Sequence, residues 1–237
     1  MTNFLTAKWE NLIMANYPIA PELLLPYLPH GVELDFYEGK TYVSLVGFMF
    51  KDIKIFGVPI PFWGTFEEVN LRFYVVQKIG NETIRGVVFI NETVPSKLVA
   101  VVANYLYKEH YISIPTKHSW QIDAQHKQIE YQWKNAKVWN CINVNALAVK
   151  NDMPKQNIET FIFERYFGFT KINKRATDRY QIVHQQWKLN EVVDYNISCD
   201  FEEVYGASFA TLNGIKPDTV LLAEGSNVAV RWKRIRF

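Results

Sequence analysis

Residues 66–76 constrain the fold of this 237-residue chain more than any other stretch. Their aromatic and β-branched content predicts a β-strand. Because successive side chains on a strand point to opposite faces, this strand has one polar face and one apolar face. The polar face carries Glu68, Asn70, Arg72 and Tyr74, and the apolar face carries Val69, Leu71, Phe73 and Val75. If the polar face points into a barrel or cleft, it predicts a binding site for a small polar molecule. If it faces water, the strand is an ordinary amphipathic one.

Composition excludes several classes of protein. Hydrophobic residues make up 49% of the chain and aromatic residues 15%, which is typical of a globular protein with a sizeable, aromatic-rich core. The formal net charge is +2, too small for a field that would hold a nucleic acid. Basic residues do gather at 171–179 and 231–236, and we interpret both runs as solvated loop and terminus. No nucleic-acid partner is therefore expected.

Cysteine usage and segment hydropathy predict a cytoplasmic setting. Cys141 and Cys199 are too few for a secreted disulfide framework and lack metal-ligand spacing, so we expect two buried free thiols. The first ten residues lack the layout of a signal peptide. No run of 18 apolar residues occurs, so neither a membrane span nor a membrane partner is expected.

Turn signals divide the chain into many strands and a few short helices. The predicted strands cover 7–19, 32–37, 40–55, 66–76, 83–91, a strand–turn–strand unit within 120–149, 180–187, 192–204 and 220–232. The predicted helices are a short one within 21–29, an amphipathic one from Pro95 to about 109 or 111, and one near Lys155. The loop 57–64, with Phe62 and Trp63, is expected to cover a core or a pocket mouth.

The absence of a βαβ rhythm argues against a doubly wound sheet. We predict an α+β but mainly β fold: one domain over residues 1–237, with a highly curved antiparallel sheet closed into a barrel or packed as a sandwich. A few short helices flank the sheet.

Seven segments, in this order, resemble a known family. They are Trp9 with Tyr17, the helix 21–29, Asp35, the strand 66–75, Arg85-Gly-Val-Val-Phe-Ile, Phe163-Glu-Arg-Tyr166 and Val183-His-Gln-Gln-Trp187. Together they are similar to the YqjF-like family, domain of unknown function 2071. The resemblance implies a fold of acetoacetate decarboxylase type, a closed antiparallel β-barrel with flanking helices and a central cavity. It implies no reaction, because the family has none established, and fold alone does not give function.

Acetoacetate decarboxylases use a lysine that forms a Schiff base, and that lysine needs a depressed pKa to be nucleophilic. Their pattern has two adjacent lysines after a proline that follows a helix, which corresponds here to residues 111–118. Lys117 is followed by His118 rather than by a second lysine. We therefore expect Lys117 to be a surface residue, and it stays only a weak catalytic candidate.

The polar face of the strand gives the stronger site. Arg72 could hold a carboxylate or phosphate through two parallel hydrogen bonds. Glu68 could orient Arg72, or act as a base if burial raised its pKa. The alternative is a buried Glu68–Arg72 pair that ties the wall together without a ligand.

Three further residues are candidates. Glu164 and Arg165 follow an aromatic helix face and are predicted to send one charged side chain inward. His184 could act as an acid or base, although a satisfied structural histidine is the more common case. By alternation His184 shares a face with Gln186 and not with Trp187. The five histidines show no zinc-ligand spacing, and no nucleotide-binding or serine-hydrolase motif occurs, so no metal and no cofactor are expected.

The sequence thus favours a protein that binds a small, acidic organic ligand in a barrel cavity. It is also compatible with a homo-oligomer. The predicted ligand-binding residues are Glu68, Asn70, Arg72, Tyr74, Glu164 and Arg165, and the weak catalytic candidates are Lys117, Glu68 and His184. One alternative is a decarboxylase-like enzyme that acts on a keto or hydroxy acid. A second is a structural or partner-binding protein whose barrel is filled by its own side chains.

Overall fold

The computed structural model describes residues 2–60, 64–108 and 110–237, without the side chains of residues 102, 106 and 107. Its strands are β1 (Asn3–Ile19), β2 (Glu33–Leu34), β3 (Thr41–Ile55), β4 (Val58–Pro59), β5 (Phe66–Ile79), β6 (Glu82–Val94), β7 (Tyr111–Ser113), β8 (Thr116–Ile122), β9 (His126–Asn135), β10 (Val138–Asn151), β11 (Phe167–Asn173), β12 (Ala176–His184), β13 (Leu189–Ser198), β14 (Thr219–Ala223) and β15 (Asn227–Arg236). The helices are α1 (Pro21–Leu24), α2 (Lys97–Tyr107), α3 (Ile158–Phe163) and α4 (Phe201–Tyr205), with 3₁₀ turns at Leu25–Tyr27 and Ala207–Leu212. The mainly β prediction is confirmed.

One sheet contains all of these strands, in the order β4-β3-β5-β6-β11-β12-β15-β1-β14-β13-β10-β9-β8. β2 pairs with β5 and β7 pairs with β6 beside this path. The long strand β1 pairs with β15, β14 and also β3, so the pairings that run from β3 to β15 return to β3 through β1. Register shifts in the β1–β3 ladder mark the places where these strands bend.

The prediction of a purely antiparallel sheet is wrong at two joins. β6 pairs with β7 and with β11 in parallel. At the second join, a Cβ on Gly86 would lie 2.3 Å from the carbonyl oxygen of Phe167, and a Cβ on Gly168 would lie 2.2 Å from the ring of Tyr180. Only glycine therefore fits these two positions, where the chain packs against its neighbours without room for a side chain.

Both faces of β5 are buried, because the sheet folds over itself. Its apolar residues Leu71 and Phe73 belong to one core cluster, which includes Ile129 and Trp133 of β9. On the other face, Tyr74 packs in a second cluster with Phe161 and other residues. The strand that looked amphipathic is thus an interior strand with a polar interior face.

Most predicted elements are confirmed, with shifted ends. The Glu38-Gly39 hairpin turn is present, with φ of 48° and 78° at these residues and backbone hydrogen bonds between Tyr37 and Lys40. The helix after Pro95 begins with Ser96, whose side chain accepts a hydrogen bond from the N–H of Val99.

The structure corrects several element predictions. The strand predicted over 32–37 shrinks to two residues, and the run 192–204 ends in helix α4. The run 220–232 divides into β14 and β15 around Gly225, whose φ is +80°. The sequence pattern predicts neither β7 nor β11, and the unit predicted as strand–turn–strand within 120–149 consists of three strands, β8, β9 and β10. The predicted loop residues Phe62 and Trp63 lie outside the described residues.

No helix in the described part of the chain is both long enough and apolar enough to cross a membrane.

Candidate functional site

A cavity of about 260 Å³ lies on the polar face of β5. Its apolar wall includes Trp9, Phe48, Phe50, Phe66, Phe89 and Tyr180. Its polar groups come from Glu68, Asn70 and Arg72 of β5, Glu92 of β6 and Tyr111 of β7. The arrangement of a few polar groups in an aromatic cavity is typical of a small-molecule site.

Strand alternation places the three β5 residues in this cavity. Glu68, Asn70 and Arg72 are 3%, 2% and 9% exposed. Asn70 lies opposite Glu92 in the β5–β6 register, so the second carboxylate comes from the neighbouring strand. These positions confirm that the polar face of the strand points into the protein rather than at water.

Tyr111 of β7 belongs to a hydrogen-bond cluster around Glu68 of β5. Its hydroxyl donates to Oε2 of Glu68 at 3.3 Å, and Nδ2 of Asn70 donates to Oε1 of the same carboxylate at 3.0 Å. Burial, together with the charges of Glu68 and Glu92, holds the pKa of Tyr111 well above its usual value. The phenol therefore stays protonated at neutral pH and serves as a hydrogen-bond donor. The side chain of Asn104 fixes the Tyr111 backbone with bonds of 2.7 and 2.8 Å.

Arg72 has unused hydrogen-bonding capacity. Its Nη2 donates to the carbonyl of Ile162 at 3.3 Å and approaches the sulfur of Met14 at 3.4 Å. Among the described residues, its Nε has no hydrogen-bond partner, and neither has Oδ1 of Asn70. Two residues of the cavity lining thus each have a buried polar atom without a hydrogen-bond partner among the described residues, a donor on Arg72 and an acceptor on Asn70.

Tyr74, the fourth residue of the polar face, does not line this cavity. Its hydroxyl forms a 2.5 Å hydrogen bond with Ser44, and the Ser44 hydroxyl lies 2.5 Å from Oδ1 of Asn16. The ring packs 5.0 Å from that of Phe161, measured between centroids. The strand face is therefore divided between a cavity and a hydrogen-bonded core.

Arg165 points inward, as predicted for one of the charged residues after α3, but it does not reach the cavity. Its Nη1 lies 2.6 Å from Oδ2 of Asp35, and its Nε donates to the carbonyl of Phe161 at 2.6 Å. The guanidinium stacks 4.2 Å from the ring centroid of Phe161 and 4.9 Å from that of Tyr74. Glu164 accepts a 2.6 Å hydrogen bond from Tyr166 and also lies outside the cavity lining.

His184 lies between two aromatic rings. Its centroid is 4.7 Å from that of Tyr166 and 4.2 Å from that of Trp187. The prediction that His184 and Trp187 point to different faces is wrong, because β12 ends at His184 and alternation stops there. Burial lowers the pKa of His184 despite a 2.8 Å contact between Nδ1 and the carbonyl of Gln185. The ring lines an open groove and not the cavity of β5.

Lys117 is exposed on β8, with its ammonium 4.4 Å from the ring centroid of Trp139. It does not line the cavity. A lysine that sequence reasoning missed, Lys127 of β9, is buried and donates to Oδ1 of Asn190 at 3.1 Å. Burial lowers the pKa of Lys127, and the charge of Lys150 lowers it further. Lys127, whose amine has a lowered pKa, does not belong to the cavity lining.

The sequence also missed Glu92 and Tyr111. The predicted strand ends at residue 91, one position before Glu92, and no pattern in the sequence marks Tyr111 as a site residue. Their joint position depends on the pairing of β6 with both β5 and β7, which no local pattern signals. Across the described residues, His, Cys, Asp and Glu side chains form no cluster of three that could hold a metal ion. Both cysteines are free and only partly buried, and burial raises the pKa of each thiol.

Comparisons with known proteins agree with this architecture. The sequence model of the DUF2071 family, described as "Uncharacterized conserved protein", matches residues 6–227. The uncharacterized protein YqjF of Bacillus subtilis (strain 168) is 34% identical over 71 residues, a match that spans 30% of this chain and only 29% of that protein.

Solved structures of very low sequence identity share the fold. The enduracididine biosynthesis enzyme MppR, complexed with pyruvate, superposes with a TM-score of 0.67 at 8% identity, over 100% of this chain and 91% of the other. An acetoacetate decarboxylase-like enzyme from Sphingomonas wittichii RW1 gives 0.67 at 9% identity, with 100% and 94% covered. Acetoacetate decarboxylase from Legionella pneumophila gives 0.62 at 9% identity, with 97% and 86% covered. At such identities the likeness establishes the fold alone.

Proposed function

From the premise that this chain belongs to the DUF2071 family, we propose that it binds a small organic acid in the cavity on β5. The ligand's carboxylate contacts Arg72, and its apolar part packs against the aromatic wall. The observation that carries the proposal is the buried Arg72, which belongs to the cavity lining and whose Nε has no hydrogen-bond partner in the described part of the chain.

Arg72 is a cation buried in the protein interior. An arginine taken out of water is costly unless charge or hydrogen bonds compensate it. The hydrogen bonds described for Arg72 go to a neutral carbonyl and a thioether. A carboxylate at this guanidinium would supply charge-assisted hydrogen bonds, which are stronger than bonds to neutral acceptors.

We further propose that the ring of paired strands is a closed barrel around this cavity. Strands β1, β3, β5, β6, β12 and β15 all belong to the ring of pairings. Each of them contributes residues to the cavity lining. That distribution supports a barrel interior rather than a surface cleft.

The likeness to MppR supports the same class of ligand. That enzyme was solved in complex with pyruvate, a small carboxylate. The volume of about 260 Å³ suits a molecule of modest size and argues against a barrel filled by its own side chains.

A second candidate function is an enzyme in which Glu68 acts as a base on a bound keto or hydroxy acid. It is favoured by the burial of Glu68 and by its hydrogen bond from Tyr111. Schiff-base chemistry at Lys117 is not favoured, because that lysine is exposed and outside the lining.

Thermal unfolding with a panel of carboxylates tests the proposal. The panel contains pyruvate, 4-methylpentanoate and 3-phenylpropionate, and the proteins are the wild type, Arg72→Met and Arg179→Met. Arg179 is a matched control: it is also 9% exposed and bonded to a neutral group, Gln77, but it does not line the cavity. A compound at a hundredfold excess over its Kd should stabilise the wild type by about 2.7 kcal/mol.

We expect that stabilisation in the wild type and in Arg179→Met, and its loss in Arg72→Met. Equal stabilisation of all three proteins would place the ligand elsewhere. No stabilisation by any carboxylate would overturn the proposal.

A further inference from the structure

We infer that the ligand is a zwitterion: it carries, beside the carboxylate at Arg72, an ammonium group held by Glu68, Glu92 and Asn70. An amino acid with an apolar side chain has this chemistry. The inference rests on the proposed function and adds to it the second polar group of the ligand.

Ionisable side chains of both signs line the cavity. Its polar lining has two carboxylates, Glu68 and Glu92, and one guanidinium, Arg72. A ligand that is only an anion would contact Arg72 but place its carboxylate in the same largely apolar space as those of Glu68 and Glu92. Like charges at close range in such a space are strongly unfavourable. An ammonium on the same molecule removes this conflict.

Asn70 has a buried hydrogen-bond acceptor, the side-chain oxygen Oδ1. Its Nδ2 donates to Glu68, which fixes the amide so that Oδ1 is the remaining group. Oδ1 is buried, belongs to a residue on the cavity lining and has no hydrogen-bond partner among the described residues. A carbonyl-type oxygen accepts only, so its ligand partner must be a donor, which a carboxylate is not.

The acceptor groups and the guanidinium donor follow one another along the polar face of β5. Asn70 lies opposite Glu92 across the β5–β6 ladder and two residues from both Glu68 and Arg72 on the same strand face. One strand therefore presents acceptor groups followed by a guanidinium along a single line. A molecule with its ammonium and carboxylate close together matches that order, while the aromatic wall accommodates an apolar side chain.

Isothermal titration calorimetry with two matched sets of compounds tests the inference. One set is L-leucine, 4-methylpentanoate, which lacks the amino group, and 3-methylbutylamine, which lacks the carboxylate. The other is L-phenylalanine, 3-phenylpropionate and 2-phenylethylamine. We expect the amino acid of at least one set to bind about tenfold or more tighter than both of its partners, because it satisfies both kinds of buried group.

Variants assign the two ends of the ligand. Glu92→Gln should weaken binding of the amino acid about tenfold and leave binding of the matched acid unchanged or tighter. Glu224→Gln is the control, because Glu224 is paired with Lys150 outside the cavity. It should change neither the affinity for the amino acid nor the affinity for the matched acid.

The outcomes separate this inference from the proposed function. If an acid binds as well as its amino acid or better, the ligand is a plain acid: the inference fails and the proposed function stands. If only the amines bind, both fail, because the carboxylate has no role. If none of the six compounds binds, both are likewise rejected. An unchanged amino-acid affinity in Glu92→Gln would also overturn the inference, provided that circular dichroism shows the variant folded.

Discussion

Two buried arginines near the same helix, Arg165 and Arg72, have opposite surroundings. Arg165 follows α3, contacts Asp35 at 2.6 Å and lies against two aromatic rings. Arg72 reaches the end of α3, where it donates to the carbonyl of Ile162, and it lines the cavity. Among the described residues, Nε of Arg72 and Nη2 of Arg165 both lack a hydrogen-bond partner, so the two arginines are distinguished by the ion pair of one and the cavity of the other. Both are less than a tenth exposed.

This difference distinguishes a structural arginine from a ligand-binding arginine better than the degree of burial does. A buried cation that has a carboxylate at hydrogen-bond distance is accounted for by the fold. A buried cation that has no carboxylate partner among the described residues and lines a cavity is a candidate to contact a ligand. The sequence grouped Arg165 with Arg72 as ligand-binding residues, and only Arg72 has the surroundings of one.

The largest expected effect comes from breaking the ion pair of Arg165 with Asp35. Asp35→Ala leaves the Arg165 guanidinium buried without its carboxylate, and we expect a loss of about 3–5 kcal/mol in the free energy of unfolding. Urea denaturation followed by fluorescence measures it. The control is Glu33→Ala at the exposed Glu33–Lys78 pair, which should cost no more than about 1 kcal/mol. Equal costs in both variants would show that the Asp35–Arg165 pair does not hold the fold.

Arg72→Met should have a smaller effect on stability. The variant loses one hydrogen bond to the Ile162 carbonyl, which corresponds to about 1–2 kcal/mol in the same urea experiment. A loss as large as that of Asp35→Ala would mean that Arg72 is a structural residue, as in the alternative of a Glu68–Arg72 pair, and would contradict the comparison.

Two tyrosines sharpen the comparison further. Tyr74→Phe removes the hydroxyl bonded to buried Ser44, so we expect a loss of about 1–2 kcal/mol in stability and no change in ligand response. Tyr111→Phe removes a donor to Glu68 in the cavity and should weaken the ligand response instead. Thermal unfolding with and without the best carboxylate measures both effects. The reverse pattern would exchange the roles of the two residues.

A pH titration tests whether His184 is structural. Burial places its folded pKa below the usual 6.5, so the fold favours the neutral ring. The resulting stability is complete above pH 6.5 and is lost as the pH falls from 6.5 through the folded pKa, because the unfolded chain binds the proton first. His184→Phe keeps an aromatic ring in the stack and should show a shallower loss of unfolding free energy over that range. Identical slopes would exclude His184 as the cause.

The smallest expected effect concerns Lys117. Incubation with pyruvate and borohydride traps a lysine imine as a stable mass increase, and we expect none at Lys117, since it is exposed and rests on Trp139. Peptide mass spectrometry of wild type and Lys117→Met locates any adduct. A specific adduct at Lys117 would restore the decarboxylase-like alternative, and one at Lys127 would move the chemistry to a different part of the fold.

Local sequence patterns predicted the parts of the fold that depend on local physics. The strand 66–76, the Glu38-Gly39 turn and the helix after Ser96 follow from alternation, positive φ and capping. The same alternation selected Glu68, Asn70 and Arg72 as one face of a strand, and these three residues do lie together on the cavity. The resemblance to the DUF2071 family, carried by motifs in sequence order, is confirmed along most of the chain.

The rest was decided by contacts between distant segments. Glu92 and Tyr111 reach the cavity only because β6 pairs with β5 on one side and β7 on the other. Asp35 takes Arg165 out of the predicted site across 130 positions of sequence. The sequence by itself determined which side chains share a face, because the period of a strand is a local property. Which faces enclose a cavity, and which charges find partners, depended on strand pairings and packing that only the tertiary structure specifies.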